Sequence, residues 1–249
     1  MPRPIFLPLR VEGRLNAIAQ IIGDMHSASA MVVSSSENIR YLSGFTGSAG
    51  VLICRKDDSV LVTDGRYTEQ ATAQVRDSGA DVRIVETRTA AATLEAVSEL
   101  LIDNSLCVCE ASDLSVDAHA RYVAALGKAL LPVTGVVEEL RRSKSEAEVE
   151  RIAFAAEAAD KALADVRDVL VRSMSEPITE RDVRDELEYR MRRHGADGPS
   201  YETIVASGHN AAKPHHRPTD QLLREGDSVV IDVGGIVDGY HSDTTRTYL

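Results

Sequence analysis

The pair Asp238-Gly239 constrains this chain more than any other feature. Two residues of that kind, set between β-prone runs, form the type I′ turn whose twist matches that of paired strands. The run from Asp227 to Leu249 therefore predicts an antiparallel hairpin. With a two-residue loop, Val237 faces Tyr240, Asp232 lies opposite Thr245, and Asp243 lies opposite Gly234. Side chains alternate along a strand, so Asp232 and Asp243 fall on one face as diagonal neighbours. Their Cα atoms are then roughly 7–8 Å apart. Carboxylates at that separation suit a pair of divalent cations about 3.5–4 Å apart. Ile231 and Val233 flank Asp232, and a carboxylate in so apolar a run needs a cation or strong hydrogen bonds. The alternative is that both aspartates are solvated on an open sheet face, and a bulge at Gly234-Gly235 would alter the register.

Upstream, His215 and His216 stand in a loop stiffened by Pro214 and Pro218. A histidine so placed can donate to a substrate carbonyl or carry a proton, because it titrates near neutrality. A surface pair without a role is the alternative. His209 and His241 are less well placed, and His26, His119 and His194 read as helix or helix-end residues.

Two helices are predicted before the hairpin. Ser145 caps the first, with Glu146 and Glu148 in its opening turn. Val149, Ile152, Ala156, Ala159, Leu163, Val166 and Leu170 then form one apolar stripe. The second starts at Thr179, with Glu180 and Asp182, and closes at His194-Gly195. Helices followed by a strand at 201–207 and a hairpin predict an α+β arrangement, helices covering one face of an antiparallel sheet. Residues 10 to 140 instead alternate helices with short strands at 30–34, 51–54, 59–63, 82–86 and 106–110. That pattern predicts an α/β domain with a mixed sheet. Pro132 and Gly135 interrupt regular structure, which divides the chain into 1–138 and 139–249.

Composition narrows the partners. A 43% hydrophobic chain with 27% charged residues is globular. Lys and Arg number 28 against 39 Asp and Glu, and the net charge of -11 argues against nucleic-acid binding. Nowhere do eighteen apolar residues run together, so no membrane partner is expected. The apolar start, broken by Pro8, is too short for a signal peptide, and three cysteines do not suggest a disulfide framework. A cytoplasmic protein is expected, with Cys107 and Cys109 on one strand face as core residues rather than a metal pair.

The run from Val205 through His215 to Ile231-Asp232-Val233-Gly234, and then Ser242-Asp243-Thr244-Thr245-Arg246-Thr247, resembles the Xaa-Pro peptidases. These include aminopeptidase P and prolidase, within the pita-bread metallopeptidases. Asn38-Ile39-Arg40-Tyr41-Leu42-Ser43-Gly44-Phe45, Gly47-Ser48-Ala49-Gly50 and Thr63-Asp64-Gly65-Arg66-Tyr67 resemble that family's amino-terminal domain. The resemblance covers nearly the whole chain. It implies a creatinase/prolidase-type α/β amino-terminal domain plus the first half of an α+β pita-bread catalytic domain. It implies Asp232 and Asp243 as metal ligands, His215 as a catalytic residue at the scissile peptide, and His216 as a substrate contact. Two divalent metal ions follow, Mn²⁺ first and Co²⁺ or Zn²⁺ otherwise, activating water against the Xaa-Pro bond of a proline-containing peptide. A homodimer is implied as well, with Phe45 and Tyr67 in the core or along the substrate approach.

The family supplies five ligands, a histidine and two glutamates following the aspartates, and this chain stops at Leu249. Glu186 and Glu202 do not stand at matching positions. The expectation is an Xaa-Pro peptidase shortened within its catalytic domain and inactive as 249 residues alone. The alternatives are one half of a split enzyme and a non-catalytic binding or oligomerisation module.

Overall fold

A computed structural model describes residues 3–249, which fold as two units. One is contiguous, Pro8–Ser143, and the other joins the segment ending at Leu7 to Lys144–Leu249.

In the Pro8–Ser143 unit the strands are β1 (Ala30–Val33), β2 (Gly50–Cys54), β3 (Ser59–Asp64), β4 (Val82–Thr87), β5 (Cys107–Glu110) and β6 (Leu130–Val133). They form one sheet in the order β4-β3-β2-β1-β5-β6. β2 pairs antiparallel with both β1 and β3, whereas β4, β5 and β6 join in parallel. The sheet is thus mixed, as the alternating pattern implies. Two apolar clusters cover its faces. One gathers side chains from α1 (Arg14–His26), α2 (Ser36–Ser43), α3 (Thr68–Ser78) and α6 (Val136–Arg141). The other gathers them from α4 (Ala90–Leu101) and α5 (Val116–Leu126).

Alternation along β5 sends Val108 to the first cluster and Cys107 and Cys109 to the second. Burial pushes the Cys109 thiol up to about 11, so it is an inert core group. Phe45 is fully buried and meets Tyr67 edge-to-face, ring centroids 5.9 Å apart, filling the core. β6 and α6 fall where Pro132 and Gly135 predict a break. Pro132 is tolerated because β6 is an edge strand. Gly135, at φ 75°, supplies the left-handed cap from which α6 starts.

The second unit contains α7 (Glu146–Asp165), α8 (Arg167–Arg172), α9 (Glu180–Arg193), β7 (Gly198–Pro199) and β8 (Ile204–Ser207). After a 3-10 turn, Gly208–Ala212, come β9 (Val229–Val233), β10 (Gly235–Val237), β11 (Tyr240–His241) and β12 (Thr244–Tyr248). Ser145 and Thr179 each close a reciprocal capping box, with Glu148 and Asp182 respectively, which fixes where α7 and α9 begin. The predicted stripe holds at Ala159, Leu163 and Val166, which are buried, and is displaced by about one position in the first half of the helix. Ala147, Arg151, Ala155, Ala158 and Ala162 face inward, while Val149 is exposed. A Cβ added to Gly235 would lie 3.1 Å from the Ala155 carbonyl, so the α7 backbone passes close over β10 at this glycine. Arg151 is drawn inward as well, donating to the carbonyls of Leu7 and Ala147 and pairing with Asp238 at 3.1 Å. The stripe also ends early. α7 stops at Asp165, whose carbonyl accepts from Arg190, and α8 begins after Val166.

The segment before Leu7 is held at several points. Arg3 donates to the Gly195 carbonyl and pairs with Asp197 at 2.5 Å. Phe6 stacks edge-on against Phe154, and the Leu7 amide donates to Glu150.

Candidate metal centre

The terminal hairpin turns as its sequence dictates. Asp238 and Gly239 both adopt positive φ, 47° and 69°, and Val237 pairs with Tyr240. Beyond that turn β12 pairs with β9, Thr245 opposite Asp232. The register read from the two-residue loop therefore holds along the whole hairpin. The ladder is nevertheless interrupted once. β10 and β11 belong to a sheet ordered β11-β10-β7, and β9 and β12 to one ordered β12-β9-β8.

The interruption sits at Gly234. A Cβ there would fall 1.8 Å from the Ser242 carbonyl oxygen, so only glycine allows the two chains to approach this closely. Ser200 fastens the break. Its hydroxyl lies 2.8 Å from the Gly235 carbonyl and 2.9 Å from that of Ser242, and its amide donates to Gly234. The Ser242 hydroxyl in turn accepts from the Gly235 amide.

This arrangement delivers both aspartates to one point. Val229, Ile231 and Val233 turn into the core, which leaves Asp232 on the opposite face of the central strand, between Ile204 and Thr245. Asp243 stands one residue before β12. Directly after Ser200, the Tyr201 hydroxyl lies 2.6 Å from Oδ1 of Asp232 and 2.8 Å from Oδ1 of Asp243. Burial, and then both carboxylates, push that phenol far above its usual range, so it stays protonated. One hydroxyl carries one proton and can donate to only one carboxylate at a time. Among the described residues, no Lys or Arg pairs with either aspartate, and no group of three or more His, Cys, Asp or Glu forms a metal cluster. Two convergent carboxylates without a counter-cation are the donor chemistry of a hard divalent ion. Asp232 and Asp243 fit as two ligands of such a site.

His215 is exposed on the loop between β8 and β9, and His216 beside it is buried. His216 Nε2 lies 2.8 Å from Oε2 of Glu180, the first residue of α9. Glu180 is completely buried and also accepts from the Ser207 amide, Asn210 Nδ2, and the Thr219 amide and hydroxyl. Burial alone would raise this carboxyl, but hydrogen bonds from His216, Ser207, Asn210 and Thr219 outweigh it and hold it at about 2. The ring of His216 is therefore engaged with Glu180, and the loop bearing His215 is anchored from within. His209 and His241 are both exposed, while His119 contacts the Leu130 carbonyl and His194 the Asp165 carboxylate.

Sequence reasoning overlooked Tyr201, Ser200 and the interior position of Glu180. Glu180 could have been suspected only as a first-turn acid of α9. No spacing pattern announces a tyrosine at position 201.

A mixed-sheet domain followed by helices packed on a two-sheet hairpin layer is the architecture of a creatinase/prolidase-type amino-terminal domain joined to part of a pita-bread domain. Residues 150–249 match metallopeptidase family M24 and residues 14–143 match the creatinase/prolidase amino-terminal domain, and the chain belongs to the Xaa-Pro peptidase family. An uncharacterised peptidase of Bacillus subtilis is 36% identical over 240 residues, covering 94% of this chain and 64% of that protein. A Pyrococcus horikoshii Xaa-Pro dipeptidase is 31% identical over 226 residues, covering 90% and 60%. Among solved structures, an Xaa-Pro dipeptidase from Bacillus anthracis superposes with a TM-score of 0.86 at 28% identity, over 94% of this chain and 64% of that one. A prolidase from Pyrococcus furiosus gives 0.82 at 28% identity, over 94% and 70%. The chain thus spans 64% and 60% of the length of these two curated relatives.

Proposed function

We propose that this chain contributes Asp232 and Asp243 as metal ligands, and His215 as a catalytic group, to hydrolysis of Xaa-Pro peptide bonds. The observation that carries this reading is the pair of carboxylates meeting at one Tyr201 hydroxyl with no cation of the chain between them. Divalent ions at such a site polarise a carbonyl and lower the pKa of water. Mn²⁺ is the foremost candidate, because carboxylate oxygens suit hard cations. Tyr201 orients the two carboxylates toward each other. His215, exposed on an anchored loop, is free to donate to a peptide carbonyl. His216 serves through Glu180, setting the position of that loop. A cytoplasmic homodimer acting on proline-containing peptides completes the reading, the homodimer being open to measurement by sedimentation.

The test joins residues 1–249 to the carboxyl-terminal third of the Bacillus subtilis relative and assays Ala-Pro against Ala-Ala with Mn²⁺. Metal-dependent release of proline from Ala-Pro is expected, lost in Asp232→Asn and Asp243→Asn. His215→Ala should lower turnover at unchanged metal content. A folded chimera that binds Mn²⁺ but cleaves neither dipeptide overturns the reading.

A further inference from the structure

A cavity of about 460 Å³ opens in the Pro8–Ser143 unit beside the start of α4. Its walls include Val51, Val62 and Ala90, and its polar rim includes Asp64, Arg66, Arg88 and Tyr122. The charges on that rim do not cancel. Arg66 holds the Asp64 carboxylate through two nitrogens, at 3.0 and 2.6 Å, so that pair is internally neutral. Arg88 is exposed and has no ion pair or hydrogen bond among the described residues. The first turn of α4 carries no acidic side chain, and Thr89 occupies the Ala92 amide alone. The positive end of a twelve-residue helix therefore faces the cavity next to an uncompensated guanidinium.

Tyr122 supplies an independent observation. Its ring is packed in the core and the residue is only 8% exposed, yet its hydroxyl has no hydrogen-bond partner among the described residues. The residue is packed, but its oxygen is not sealed from solvent and opens onto the cavity. Here the hydroxyl borders the cavity, so a ligand can satisfy it.

We propose that this cavity binds a small organic anion, a carboxylate on an apolar body, with its charge between Arg88 and the start of α4 and Tyr122 hydrogen-bonding from the wall. Positive charge selects an anion. The volume falls in the range of small-molecule sites, about 300–1,000 Å³, and exceeds what a bare ion fills. The apolar walls favour a carbon skeleton. This site stands apart from the aspartate pair and does not rest on the peptidase reading.

Calorimetric titration of residues 1–249 with benzoate and with neutral benzamide, which share one ring, isolates the charge. Benzoate should bind at least about tenfold tighter than benzamide, the effect of a charged hydrogen bond. Arg88→Ala should remove most of that preference while leaving benzamide unchanged. Tyr122→Phe, which keeps the ring in the core, should weaken benzoate a few-fold, roughly the effect of one neutral hydrogen bond. Benzoate should also shift the amide resonances of Ala90 and Thr93. Equal binding of the two probes, indifference of benzoate to Arg88→Ala, or no binding at millimolar concentration overturns the proposal. Inorganic phosphate binding as tightly as benzoate overturns its organic part.

Discussion

Two carboxylate sites in the hairpin-bearing unit contrast in how fully the chain satisfies them. Glu180 is completely buried and accepts five hydrogen bonds from His216, Ser207, Asn210 and Thr219. Asp232 and Asp243 share one hydroxyl, that of Tyr201. A saturated carboxylate fastens structure, and nothing remains on it for a ligand. A pair left short of donors keeps lone pairs directed at a common point, which is where a cation gains most. Acidic residues alone therefore do not single out a cation site; what distinguishes the proposed one is its unmet acceptor capacity.

The contrast can be broken most sharply at Glu180. Glu180→Ala leaves the buried donors of Ser207, Asn210 and Thr219 unpaired and should cost about 3–5 kcal/mol in urea unfolding. A cost below about 1 kcal/mol would mean that the five bonds hold little. Next comes Gly234→Ala, which forces apart the Gly234 and Ser242 backbones. It should cost about 1–3 kcal/mol and weaken amide-exchange protection in β9 and β12.

Acid titration sharpens the comparison and extends it to the other unit. The folded value of Glu180, about 2, lies below its ordinary 4.5, so its contribution is full above pH 4.5 and is lost as pH falls toward 2. Glu110, buried in the Pro8–Ser143 unit, moves the other way. Burial outweighs the bonds it accepts from Ser35, Asn38 and Ser34 and raises it above 4.5. A raised carboxyl loses stability as pH rises from 4.5 through its folded value. In pH-dependent melting, Glu180→Gln should flatten the acid limb, and Glu110→Gln should flatten the fall on the rising side. Matching slopes in both variants would erase the distinction.

The smallest stability effect belongs to Asp232 and Asp243, the pair proposed to hold metal. Asp232→Asn should change metal-free stability by no more than about 0.5 kcal/mol while removing Mn²⁺ binding, measured by electron spin resonance. Tyr201→Phe should likewise leave the fold intact, and a change in Mn²⁺ affinity would report how far the phenol organises the ligands.

What could be read from the chain was the part fixed by local geometry. Asp238-Gly239 set a two-residue turn, and the pairing of Asp232 with Thr245 followed from it. Ser145 and Thr179 marked helix starts because capping is a contact within four residues. The break at Gly234 was beyond reach, since it depends on Ser200 and on the Ser242 carbonyl arriving from elsewhere. The inward face of α7 was misjudged for a similar reason. Hydrophobicity favoured Val149 and Ile152, but the first half of α7 turns Ala147, Arg151 and Ala155 inward instead, and the stripe is met only from Ala159 onward. Tyr201 was invisible because its function arises only where two strands and a loop meet.

The clasp at the beginning of the chain bears on how the protein can be handled. Arg3 grips Asp197 and the Gly195 carbonyl, and lies 3.5 Å from Asp238 in the hairpin turn. A fragment begun at Lys144 would discard Arg3 and Phe6 and strip Arg151 of the Leu7 carbonyl. No single cleavage separates the two folding units, because the unit that ends in the hairpin is also the one where the described chain starts.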